Sequence, residues 1–121
     1  MKILLTLLFL FFSSSVYAEE FASWGIVEDT CENALETINL SKKIGDFEYD
    51  LTNRVFRGTM QAYMSGINWW IQENYEMFKH LNHNSVDYAY SYVLGYCENN
   101  PKNKFGEGIL QYMVELPYIE N

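Results

Sequence analysis

Cys31 and Cys97 are the only cysteines in this chain of 121 residues. Two thiols so far apart do not have the Cys-x-x-Cys spacing of a redox centre. In an exported chain their expected chemistry is one disulfide. Closing the chain from residue 31 to residue 97 removes roughly 4 kcal/mol of loop entropy from the unfolded state, which is comparable with the net stability of a small domain. His80 and His83 form a His-x-x-His. They lie in a polar stretch with neither a His-Glu-x-x-His helix nor a third ligand beside them, so solvated loop histidines are expected and no metal is assigned. Glu28 with Asp29, and Glu73 with Glu76, read as solvated faces rather than acid/base pairs. There is no Gly-rich phosphate loop, and pairing the cysteines removes any Cys/His dyad. No catalytic residue and no cofactor are assigned, and the chain reads as a non-enzyme.

The aromatic residues are the better candidates for a working surface. Tyr63, Trp69, Trp70, Tyr75 and Phe78 fall within sixteen positions. Adjacent tryptophans on a helix point about 100° apart, so Trp69 and Trp70 cannot both face one core. If one is core, the other lies either beneath an N-terminal lead that carries Trp24 or in solvent; both alternatives stay open. Exposed aromatics of this kind favour protein binding.

Export is expected from the N-terminus. Lys2, the apolar run Ile3 to Phe12 and the small residues around Val16-Tyr17-Ala18 read as a signal peptide cleaved after Ala18. The apolar run is too short to span a bilayer, and no later one is long enough. Residues 19–121 are then expected to form a single domain. The whole chain carries 16 acidic against 8 basic side chains, a formal charge of −8. Removing Lys2 with the leader takes this to about −9, which disfavours nucleic acid and anionic membrane surfaces and suits either a basic partner or simple solubility.

The elements that must position these residues are helical. "DTCENALETINLSKKIG" has Asp29 as a cap with Glu32 as its capping-box partner, an apolar Cys31, Leu35, Ile38 spacing, and Gly45 for a left-handed end. Leu51 to Phe78 is the longest periodic stretch, with Leu51, Val55, Met60, Met64, Ile67 and Ile71 as one stripe. Gly58, Ala62 and Gly66 recur every four residues, which implies either a close approach by a neighbour or a kink near Gly66. Ser85 caps a third helix whose core face is Val86, Tyr90 or Ala89, Val93 and Cys97, and Asn99-Asn100-Pro101 ends it. Asn103 caps a fourth, with Phe105, Ile109, Met113 and Leu116 aligned and Pro117 as the stop. No clean period-two alternation occurs. The expected fold is all-α: a small four-helix domain with one disulfide and essentially no sheet.

These residues carry a resemblance. A helical chain whose second cysteine reads Tyr96-Cys97-Glu98-Asn99-Asn100-Pro101, followed by a last helix from Lys104, is similar to the HdeA/HdeB family of periplasmic acid-stress chaperones. "YMSGIN", Tyr63 to Asn68, also resembles the Gly-Tyr-Leu-Ser-Gly type of helix in periplasmic relatives and in immunity proteins against type VI secretion amidases. The first resemblance implies a periplasmic chaperone that binds unfolded client proteins, with a homodimer compatible. The second implies an inhibitor or immunity protein with a fixed surface for one protein partner. Protonating the 16 carboxylates would swing the mature chain from about −9 to about +9 at low pH. That swing permits acid activation but does not single it out.

Overall fold

A computed structural model of the chain describes residues 25–120. The expected signal peptide, its cleavage point and Trp24 lie outside the described residues. Four helices and two short strands follow one another: α1 (Cys31–Ile44), α2 (Asp46–Tyr75), β1 (Met77–Lys79), α3 (Val86–Asn99), α4 (Phe105–Glu115) and β2 (Tyr118–Glu120). The fold is all-α apart from one antiparallel pair, in which Met77 faces Glu120, Phe78 faces Ile119 and Lys79 faces Tyr118. That pair departs from the expectation of essentially no sheet. Strands of three residues are too short to display alternation, and their partners lie some forty residues apart, so only tertiary packing brings them together.

The helices begin where backbone donors find partners. Thr30, not Asp29, caps α1: its hydroxyl accepts from Asn33 N at 3.2 Å. Asp29 stands one residue outside, where its carboxylate accepts from Thr30 N and Asn33 Nδ2, both at 2.9 Å. Ser85 caps α3 as expected, accepting from Tyr88 N at 3.1 Å. Lys104 rather than Asn103 is the cap of α4, and its N–H donates to Glu107 at 3.0 Å. Asn103 instead donates its side-chain amide to the Tyr96 hydroxyl at 2.7 Å. Gly45 ends α1 and opens α2 in extended backbone, φ 165° and ψ 170°, not in the left-handed region.

The starts of α1 and α4 satisfy each other. Cys31 N donates to Asn103 O at 2.7 Å and Glu32 N to Pro101 O at 2.9 Å; in return Phe105 N and Gly106 N donate to the carbonyls of Asp29 and Val27, each at 2.9 Å. Orphan donors of two helix N-termini are thereby paired by neighbouring loops. This stitching holds the end of α3 against the start of α1, and there the expected disulfide forms, with 4.8 Å between the Cα atoms of Cys31 and Cys97.

The core gathers Cys31, Ala34 and Ile38 of α1, Phe56, Met60 and Met64 of α2, Ala89, Tyr90, Val93 and Cys97 of α3, and Phe105, Ile109, Tyr112, Met113 and Leu116. The α3 and α4 faces match the sequence pattern, except that Val86 is exposed. The α2 stripe holds only from Met60 onward. Leu51 and Val55 are about half exposed, and Phe56 takes the buried place beside Phe105, their rings 5.3 Å apart edge to face.

The α2 glycines contact nothing: a Cβ on Gly58 or Gly66 would meet no atom within 4 Å. Close approach occurs in α4 instead. A Cβ on Gly106 would lie 2.5 Å from Val27 Cγ1 and 2.9 Å from its carbonyl oxygen, and one on Gly108 would lie 2.9 Å from Tyr96 Cδ1.

Candidate functional site: an aromatic ledge at the end of the long helix

With 30 residues, α2 is the longest element; at about 1.5 Å per residue it reaches past its neighbours. Its last turns carry the aromatic cluster. Both tryptophans are exposed, Trp69 at 65% and Trp70 at 54%, and Tyr75 at 61%. Neither tryptophan is core. The expectation that one might lie beneath the lead concerns Trp24, which is outside the described residues. Trp70 and Tyr75 pack edge to face at 5.9 Å, so the two exposed rings brace each other rather than the core.

The remaining candidates divide. Tyr63 is half-buried and packs against the core two turns earlier, so it is not part of the ledge. Phe78 is not on α2, which ends at Tyr75; it is half-buried in β1. Even so, Phe78 rejoins Trp69: together with Ser65, Asn68, Gln72 and Leu81 they line a shallow cleft of about 410 Å³. The structure therefore brings Trp69 to Phe78 and Trp70 to Tyr75, on two sides of one helix end.

The ledge is held in place by side chains that the sequence reading did not single out. Asn68 grips β1 with both ends of its amide: Lys79 N donates to Oδ1 at 2.6 Å, and Nδ2 donates to Lys79 O at 2.9 Å. It occupies the edge that a further strand would take, which blunts that edge against pairing with another chain. The reversal from α2 into β1 runs through Glu76 in left-handed conformation, φ 54° and ψ 23°, the one non-glycine positive φ among the described residues. Its N–H donates to Gln72 O at 3.2 Å. An asparagine followed nine residues later by the apolar pair Met77-Phe78 was the available signal, but it has no meaning until the chain reverses.

A second apolar surface lies at the other end of α2. Ile44, Phe47, Leu51 and Val55 are exposed, Phe47 at 75%. Leu51 and Val55, expected in the core stripe of α2, are among them. This surface leads into a groove of about 910 Å³ lined in part by Ile26, Leu51, Val55 and Phe56, with Glu28 and Lys104 paired across it. The Glu28 carboxylate beside Lys104 holds that ammonium above its usual value.

His80 and His83 lie with ring centroids 5.8 Å apart, and among the described residues no group of three or more His, Cys, Asp or Glu is placed to hold a metal ion. Among the same residues, no helix is long and apolar enough to cross a membrane. Compared with known proteins, the chain matches no family model, no curated protein and no solved structure.

Proposed function

We propose that this is an exported, periplasmic protein that acts by binding another protein through the aromatic ledge of α2. One observation carries the reading: Trp69, Trp70 and Tyr75 stand clear of the core on a single helix end, with Trp70 and Tyr75 packed edge to face on each other. Large aromatics on a rigid element supply contact area at little conformational cost, and they dominate interface energetics. The disulfide fits an oxidising compartment. A ledge already formed in the folded domain suits an inhibitor or immunity protein that uses a fixed surface against one partner, such as a cell-wall amidase.

The second reading is a chaperone of the HdeA/HdeB type, which the sequence resemblance implies. The exposed Ile44, Phe47, Leu51 and Val55 favour it, because they offer unfolded clients a second apolar surface. The test is client aggregation at pH 7 and at about pH 2, with Trp69→Ala/Trp70→Ala beside the wild type, and dye binding along the same titration. Capture at pH 7 that the double variant loses supports the fixed ledge. Capture confined to acid, with new dye binding there and no dependence on the tryptophans, replaces it with the chaperone reading. No capture under either condition rejects the chaperone reading.

A further inference from the structure

We infer that the ledge takes a positively charged protein segment that presents arginine; the inference rests on the protein-binding reading above and names the partner's chemistry. The aromatic rings supply the platform. Glu73 lies four residues after Trp69 and three after Trp70, so its carboxylate shares a helix surface with both rings. Glu76 closes the helix next to Tyr75, and Glu120 stands across the strand pair from Met77. All three carboxylates are exposed, and none has an ion-pair partner among the described residues.

Among the described residues no free cation is at hand to balance them. Residues 58–78 contain no Lys, Arg or His, and the last turn of α2 holds no basic side chain. The next one, Lys79, is buried and committed elsewhere: its ammonium donates to Leu116 O at 2.8 Å and to Val114 O at 3.3 Å, and sits 3.7 Å from the centroid of the Tyr118 ring. The carboxylates also crowd the negative end of the helix dipole, where a cation rather than an anion is favoured. An incoming cation relieves that repulsion.

Arginine meets both features at once. Its planar guanidinium stacks on an aromatic face while its N–H fork pairs with a carboxylate, and it sheds water more readily than an ammonium. A purely aliphatic segment would cover the rings and leave the neighbouring carboxylates to be desolvated without partners. The chain's charge of −8 draws such a partner in and speeds the encounter.

The experiment uses three capped peptides of equal length, with Arg-Gly, Lys-Gly and neutral Leu-Ser repeats, titrated against the folded protein and followed by the indole N–H resonances of Trp69 and Trp70. Glu73→Gln/Glu76→Gln is compared with Glu32→Gln/Glu36→Gln, an exposed pair on α1 whose loss changes the net charge equally. The expected result is that the Arg peptide binds more tightly than the Lys peptide, that the α2 pair of substitutions weakens it about tenfold, and that the α1 pair changes it less than about twofold. Equal weakening by the two pairs reduces the effect to the overall field and overturns the inference. If the Leu-Ser peptide binds at the tryptophans as well as the Arg peptide, the ledge still binds protein and only the arginine preference fails. If no peptide moves either indole, the ledge reading fails with it.

Discussion

The ammonium of Lys79 donates to the main-chain carbonyl of Leu116 at 2.8 Å. This bond ties the strand after the longest helix to the end of the last one. With a second bond to Val114 O at 3.3 Å, it serves two of the carbonyls that α4 leaves unpaired at its C-terminus. Among the described residues Lys79 is one of two buried polar or charged side chains, the other being Ser41. It is buried because it has these partners.

Lys79→Ala should therefore destabilise the domain by about 2–3 kcal/mol, since the carbonyls lose a charged donor in a place water reaches poorly. Lys79→Met restores the apolar stem without the bonds and should recover only part of the loss. The measurement is the denaturant midpoint of each variant. A Lys79→Ala midpoint equal to the wild type would show that the contact contributes nothing.

Glycine substitutions should separate the open helix from the crowded one. Gly58→Ala and Gly66→Ala meet no atom within 4 Å and should each stabilise by about 0.5–1 kcal/mol through helix propensity. Gly106→Ala should cost about 1–3 kcal/mol, because its new methyl would sit 2.5 Å from Val27 Cγ1 with the Val27 carbonyl just behind. Thermal melts of the three variants decide this. A stabilised Gly106→Ala would mean that the lead segment yields easily.

Reduction of the disulfide should remove about 4 kcal/mol on the chain-entropy model, given the separation of 66 residues between Cys31 and Cys97. The Cys31→Ser/Cys97→Ser double variant, unfolded in parallel, checks that the loss comes from the link and not from the reductant. A double variant within about 1 kcal/mol of the wild type would contradict the entropic account.

Tyr90 gives the domain a dependence on alkaline pH. Burial pushes its phenol up to about 12 from the ordinary 10.0, with nearby Arg57 opposing the rise and Tyr49 adding to it. Its hydroxyl donates to Asn53 Oδ1 at 2.7 Å, a bond the neutral form alone makes. The unfolded chain ionises this group first, so the contribution is intact below pH 10 and declines as pH rises towards the folded value, by about 2 kcal/mol across that window. Tyr90→Phe should be less stable at pH 8, yet lose less on going to pH 11. Parallel stability curves for the two proteins over that range would rule out Tyr90 as the source.

The sequence by itself determined the helices and the disulfide. Helical period, Ser85 before an apolar run, and proline after Asn99-Asn100 are local instructions, and each acts within a turn or two of where it is written. Two cysteines leave a single intramolecular pairing, so Cys31–Cys97 needed only an oxidising compartment. What the tertiary structure decided is which side of each local pattern is used. Leu51 and Val55 are spaced like Met60 and Met64, but at about 100° per residue they lie on the opposite side of α2; Phe56, in phase with Met60 and Met64, enters the core there, and Leu51 and Val55 face solvent. Trp69 likewise stands opposite that core face and Trp70 lies to its side, so both are exposed. A period says which residues share a face; it does not say whether anything stands opposite. The strand pair and the Lys79 bond to Leu116 lie further beyond reach, since three-residue strands carry no pattern and a lysine's partner thirty-seven positions away exists only once the chain has closed.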